Sequence, residues 1–225
     1  RWPDATRAEV FVPIVLEDAW YDDLPQGAMQ MLAAVSGATT VIDDGARRWR
    51  LGADVGVVVG RALLRRLGDA DPPRPRVFVS HTKADGEALA RTVVTHLKTK
   101  TRIEAWFDEN EVQLGEELGG QLDRAASDGI VLLVRTDRYS ESPWCTLEIL
   151  TAKRSQVPIV TLFDVSDGEA STSAYGGNHR TMRWQPGREW ELVGRCVQAW
   201  VHGHHFRAHA AAALERAGLR ASAEI

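Results

Sequence analysis

The sequence predicts an α/β fold built on a doubly wound parallel sheet, and three observations predict it. First, residues 76–80 (RVFVS), 130–134 (IVLLV) and 158–163 (PIVTLF) are short, unbroken, mostly β-branched apolar runs. Strands covered by helices on both faces need such runs, whereas a half-solvated sheet would alternate. Second, helical spacing separates them: Leu89, Val93 and Leu97 recur every four residues, as do Leu118, Leu122 and Ala126. Third, strand and helix signals alternate as β-α-β-α-β-α-β, the order that right-handed crossovers fold into a parallel sheet.

The elements follow in order. Residues 10–16 (VFVPIVL) read as a strand, and residues 26–35 and 54–67 as helices, so residues 1–68 are expected to close a second, incomplete α/β unit. Gly52, Gly56 and Gly60 lie at four-residue spacing on a helix. Their spacing matches neither a phosphate-binding loop nor a dinucleotide fingerprint, and close helix packing explains it better. Residues 69–75 (DADPPRP) form a Pro- and Asp-rich linker, the natural boundary of a domain spanning residues 76–203. Within that domain, residues 103–108 (IEAWFD) fill a strand slot. Trp144, Leu147 and Thr151 mark a helix, with Ser142 as its N-cap and Pro143 at its first position. Residues 204–225 should carry a separate Ala-rich helix leading on to further chain. The sequence opens on Arg1 and not on Met, so preceding residues are expected as well.

Composition narrows the function. Of 225 residues 44% are hydrophobic, enough for a sizeable core, and the formal net charge of −4 offers no broad basic surface to a nucleic acid. No stretch approaches the roughly 20 apolar residues of a membrane span. Cys145 and Cys196 form neither a zinc pattern nor a disulfide framework, which suits a reducing cytoplasm. His202, His204, His205 and His209 include one i, i+4 pair but no evident third ligand, so they read as a surface cluster and no metal is expected. Residues 175–179 (YGGNH) form a Gly-rich turn, either a lid or a plain loop.

The polar motifs collect where these strands end. Residues 78–87 (FVSHTKADGE) put Ser80, His81 and Lys83 at the carboxyl end of the first strand. Residues 105–118 (AWFDENEVQLGEEL) run from a strand through an acidic loop with Asp108, Asn110 and Leu114 to Gly115. Residues 139–149 (YSESPWCTLEI) hold Tyr139, and place Trp144 four residues before Glu148 on one helix face. In these three ordered segments the chain resembles the TIR (Toll/interleukin-1 receptor) domain family, particularly its bacterial catalytic members of antiphage defence. The segments correspond to the family's first-strand box, its BB loop and its W-x-x-x-E helix, over roughly residues 76–201. Two departures are visible. Gln113-Leu114 stands before Gly115 where animal receptor members commonly have Pro-Gly, and the family's Phe-Trp box is at best approximated by Glu189-Trp190 or Ala199-Trp200.

The resemblance implies a flavodoxin-like sheet. It also implies an NAD+ glycohydrolase that cleaves the nicotinamide–ribose bond to give nicotinamide and linear or cyclic ADP-ribose, in prokaryotic immune signalling or cell death. NAD+ would be substrate and not cofactor. Glu148 would be the essential glutamate, and self-association through the BB loop (Asn110, Leu114, Gly115) would complete the site. Read from the residues alone, alternatives stay open. Glu148 could be a solvated helix glutamate paired with Lys153 or Arg154. Trp144 could wall a site or fill a core. Asp108 could meet a ribose or cap its loop. Ser80, His81 and Lys83 could bind phosphate or adenine, or form a solvated turn. Cys145, with no base partner of its own, is a poor nucleophile. The rival function is a non-catalytic TIR adaptor; a base-exchange or nucleotide-signal synthase on the same site is a third.

Overall fold

In the computed structural model of the chain, the described residues are 44–66, 71, 73–101, 103–107, 129–168 and 179–216. They open with helix α1 (Asp44–Arg66) and continue through strand β1 (Arg76–His81), helix α2 (Glu87–Lys100), strand β2 (Glu104–Trp106) and strand β3 (Gly129–Thr136). A short 3-10 turn (Tyr139–Glu141), helix α3 (Pro143–Arg154), strands β4 (Ile159–Asp164) and β5 (Arg180–Arg183), and the long helix α4 (Glu189–Arg216) complete them. The sheet runs β2-β1-β3-β4-β5, every neighbouring pair parallel. This is the doubly wound order in which the chain reverses direction across the sheet between β1 and β3.

Period-two alternation sorts the strand residues onto two faces. Val77, Val79, Ile130, Leu132, Val134, Val160 and Leu162 join α1, α2 and α4 in the larger core. Phe78, Val131, Leu133 and Ile159 join Tyr139, Cys145, Ile149 and Ala152 in the smaller core, against α3. All eight residues of β3 are buried, as its continuous apolar run requires.

Four expectations change. The helix predicted at the end of the N-terminal unit is α1, but its packing partners lie beyond the linker. Ala53 and Leu64 belong to the larger core, and Trp49 sits against Gly194 of α4. A Cβ on Gly56 would stand 2.8 Å from Val197, and one on Gly60 2.7 Å from Trp200, so these glycines let two helix backbones approach. Gly52 has nothing within 4 Å and takes no part. The boundary expected at residues 69–75 therefore leaves on its N-terminal side a helix that covers the sheet domain. Residues 1–43, including the strand expected at 10–16 and the helix at 26–35, lie outside the described residues. Second, no break falls at residue 204: α4 is continuous from Glu189 to Arg216. Third, β5 was not anticipated, because in RTMR only Met182 is buried and no apolar run announces it. Fourth, the buried side of α3 is Cys145, Glu148, Ile149 and Ala152, while Trp144, Leu147 and Leu150 are exposed. The apolar residues of this helix misreport its core face because a glutamate occupies that face.

Candidate active site

β1 delivers the first member of the site. Ser80 shares the sheet face of Phe78, two residues earlier, and so points toward α3. The N-terminus of α3 is fixed as its sequence predicts: the Ser142 side chain accepts a hydrogen bond from the Cys145 backbone N–H at 3.3 Å, and Pro143 opens the first turn. That start sets Glu148 on the inner side of the helix, one turn further on. Glu148 is only 7% exposed, and its carboxylate accepts a short hydrogen bond from Ser80 Oγ. The Tyr139 hydroxyl lies 2.6 Å from the same Ser80 Oγ. Each hydroxyl has one proton. With Ser80 donating to Glu148, the directions are set: Tyr139 donates to Ser80, which donates to Glu148. Burial, followed by the nearby Cys145 and Glu148, drives the Tyr139 phenol well above its ordinary value, which keeps that proton in place. Burial likewise pushes the Cys145 thiol up to about 11, so it stays protonated.

Two aspartates strap the loops around this centre. Asp85, in the turn after β1, accepts hydrogen bonds from Thr136 Oγ1 at 2.6 Å and from the Arg138 backbone N–H at 3.0 Å. Asp137, just past β3, accepts from the backbone N–H groups of Ser166, Asp167 and Gly168, each at 3.1 Å. The exits of β1, β3 and β4 are thereby tied side by side. Sequence reading missed both residues; the available signal was an aspartate in the first residues after a strand, where carboxylates satisfy loop N–H groups.

The remaining candidates fall as follows. His81 turns to the opposite sheet face from Ser80 and packs edge-on against Phe107, ring centroids 5.0 Å apart. Lys83 is exposed in the turn that follows. The Glu87 carboxyl there is held below its ordinary value, first by its hydrogen bond to Arg91 and then by the charges of Arg91, His81 and Lys83. Trp144 is 45% exposed, one turn from Glu148, and fills no core. Ser80 and Tyr139, expected to contact a ligand, are instead almost wholly buried beside and behind Glu148. The solvated pairing of Glu148 with Lys153 or Arg154 gives way to this buried position. Asp108, Asn110, Leu114 and Gly115 lie outside the described residues.

Among the histidines, His204 is buried against Trp200 and His202 meets Arg180, while His205 and His209 stack edge-on at 4.7 Å. They are not one surface cluster, and among the described residues no three His, Cys, Asp or Glu side chains converge as metal ligands would. No helix of the described residues is long and apolar enough to cross a membrane.

A parallel β2-β1-β3-β4-β5 sheet that reverses between β1 and β3, with helices on both faces, defines a class: open, doubly wound α/β domains. The particular family follows from the sequence match. The TIR domain model matches residues 77–191, about half of the chain, and the chain belongs to the TIR domain family. Over 88 residues it is also 32% identical to the disease resistance-like protein CSA1 of Arabidopsis thaliana, covering 38% of this chain and 7% of that protein. The chain thus corresponds to a small part of the length of that relative. TIR domains include both NAD+ hydrolases and adaptors.

Proposed function

We propose that this TIR domain cleaves NAD+ at the nicotinamide–ribose bond, with Glu148 as the catalytic carboxylate. One observation carries the reading: Glu148 lies on the buried face of α3, among Cys145, Ile149 and Ala152, beside the carboxyl end of β1, and is held there by the Tyr139–Ser80 relay. A structural glutamate on a helix of this kind would be solvated. Burying a carboxylate costs stability unless it is hydrogen-bonded, and sites of chemistry are where such a cost is retained.

The chemistry suits a single carboxylate. Nicotinamide leaves NAD+ as a neutral molecule, so no general acid is needed, unlike an ordinary glycoside with its poor leaving group. What remains is to stabilise positive charge developing on the ribose. A carboxylate about 4 Å from that charge, at an effective dielectric of about 20, contributes on the order of 4 kcal/mol, roughly a thousandfold in rate. In this reading Ser80 and Tyr139 are positioning residues, and Trp144 walls the ribose side. His81 and Lys83 supply potential for the diphosphate, and Asp108 remains a candidate ribose contact. The product, linear or cyclic ADP-ribose, would serve immune signalling or cell death.

Self-association belongs to the same proposal. Trp144, Leu147 and Leu150 form an exposed apolar stripe on the helix that carries Glu148. A second copy covering it, with the loop bearing Asn110, Leu114 and Gly115 at the contact, would close the site against water. The same stripe is what favours the alternative, a non-catalytic adaptor that uses α3 only for assembly. Nicotinamide release from NAD+, measured by chromatography over a dilution series, tests the two together. Turnover that rises per molecule with concentration and vanishes in Glu148→Gln is the expected result. Absence of release at every concentration leaves the adaptor.

A further inference from the structure

The turn that follows β1 is closed on itself. The Thr82 carbonyl accepts from the Gly86 backbone N–H at 2.9 Å, and Thr82 Oγ1 accepts from the Ala84 N–H at 3.3 Å. Asp85 leaves this braced turn with both of its oxygens in use. Oδ1 accepts from Thr136 Oγ1 at 2.6 Å and Oδ2 from the Arg138 backbone N–H at 3.0 Å, across 51 and 53 residues of chain. The residue after Arg138 is Tyr139, whose hydroxyl meets Ser80 across 59 residues. The segment leaving β1 and the segment leaving β3 are thus joined twice, at the surface through Asp85 and in the buried core through Ser80. From Arg138 the path runs on to Glu148. The Arg138 carbonyl accepts from the Glu141 N–H at 3.1 Å, the Tyr139 carbonyl accepts from the Ser142 N–H at 3.2 Å, and Ser142 caps the helix that carries Glu148.

We propose that Asp85 is a positioning residue for the Glu148 centre: its two hydrogen bonds hold Tyr139 and the start of α3 in register with Ser80. The proposal rests on the reading of Glu148 as the catalytic carboxylate. A single hydrogen bond between Tyr139 and Ser80 fixes one distance and leaves the segment free to pivot about it. The second tie, on the other side of the Tyr139 backbone, removes that freedom. A displacement of about 1 Å at a reacting centre can cost about a hundredfold in rate, so holding a carboxylate in place is itself a contribution to catalysis. Asp85 touches no reacting atom in this scheme, and what it supplies is geometry and not charge.

That distinction gives the test. Asparagine can keep both ties: its amide oxygen accepts from the Arg138 N–H, and its NH2 donates to Thr136 Oγ1, which accepts as well as donates. Alanine keeps neither. Each variant is compared with the parent for nicotinamide release and for alkylation by iodoacetamide, read at each cysteine by mass spectrometry. Cys145 is buried with Tyr139 in the smaller core and Cys196 is buried in the larger one, so the two thiols report opening of the two faces separately. Asp85→Ala is expected to speed alkylation of Cys145 severalfold with Cys196 unchanged, and to lower kcat severalfold with KM little moved. Asp85→Asn should restore both, and Thr136→Val, which removes one tie, should fall between. Equal alkylation of Cys145 in Asp85→Ala and the parent overturns the assignment, and so does an opened Cys145 with unchanged kcat. An Asp85→Asn protein as impaired as Asp85→Ala overturns it by making charge the active property. A rise at Cys196 equal to that at Cys145 overturns it by making Asp85 a support of the whole fold. If the parent releases no nicotinamide, it is the reading of Glu148 that fails, and alkylation alone decides whether Asp85 holds the centre.

Discussion

The two faces of the sheet are built to opposite rules. Toward α1, α2 and α4 the core is apolar, and its specific feature is closeness: Gly56 and Gly60 admit Val197 and Trp200 where a Cβ would collide. Toward α3 the core is smaller and contains a polar chain, Tyr139 to Ser80 to Glu148, in which hydrogen bonding and not shape decides the arrangement. The contrast teaches where each face can be changed. The first holds the fold and should tolerate little change of volume. The second holds a charge in place and should tolerate isosteric change structurally while losing whatever the charge does.

The largest expected effect is therefore functional and on the α3 face. Glu148→Gln keeps the size and hydrogen-bonding reach of the side chain and removes its charge. Nicotinamide release should fall at least a hundredfold, on the order of 3 kcal/mol or more in the barrier. The loss should appear in kcat with KM little changed, since the charge acts on the transition state and not on bound substrate. The melting temperature should hold or rise slightly, because a neutral amide is easier to bury than a carboxylate. Retained turnover in a folded Glu148→Gln protein would remove the catalytic assignment.

The mirror experiment is on the other face. Gly60→Val puts a β-branched side chain where Trp200 and Val201 already stand 2.7 and 2.8 Å from the first added carbon. Overpacking of this kind costs about 1–3 kcal/mol, which chemical denaturation would resolve as a lower midpoint. Turnover per folded molecule should be unchanged, because no member of the Glu148 centre touches α1. A Gly60→Val protein as stable as the parent would mean that the helix pair can separate freely, and the closeness would then be without consequence.

Ser80→Ala falls between the two. It deletes a donor to Glu148 and the acceptor for Tyr139, leaving two buried polar groups each one partner short, at about 1–3 kcal/mol of stability. Turnover should drop by about tenfold, on the order of 1.4 kcal/mol, less than for Glu148→Gln because the charge survives and only its position loosens. Ser80→Thr, which keeps the hydroxyl, should recover most of the rate. Full activity in Ser80→Ala, with a lowered melting temperature alone, would make the relay structural.

How legible each face was in the sequence follows the same division. The strands β1, β3 and β4 announce themselves because burial on both sides leaves only apolar residues, and the N-cap of α3 because Ser-Pro has few other uses. The motif segments pointed to Glu148, and the glycine spacing pointed to close packing. What stayed hidden was pairing at a distance. Ser80 and Tyr139 read as ligand contacts because a polar residue at a strand end carries no mark of which way its hydrogen bond goes. Asp85 and Asp137 read as loop residues because their partners are backbone groups, which every residue has. The core face of α3 could not be read from apolar periodicity, because Glu148 lies on that face while Trp144, Leu147 and Leu150 lie off it. β5 has one buried residue in four and no pattern to read.

The smallest expected effect concerns a polar group on the apolar face. His96 of α2 lies edge-on to Trp190 of α4, ring centroids 5.3 Å apart, and its Nε2 is buried with no hydrogen-bond partner among the described residues. Loss of hydration lowers its pKa below the ordinary 6.5, with the carboxylate of Glu189 opposing the shift and Lys100 adding to it. A histidine whose folded pKa is depressed binds its proton more readily when the chain is unfolded. Stability from this group is therefore complete above pH 6.5 and declines as pH falls through that value. Denaturation midpoints measured at pH 7.5 and pH 5.5 should differ in the parent and differ less in His96→Gln, which retains a polar side chain but cannot take up the proton. An equal pH dependence in both proteins would show that another group titrates in this range, and that the apolar face carries His96 without consequence for its stability.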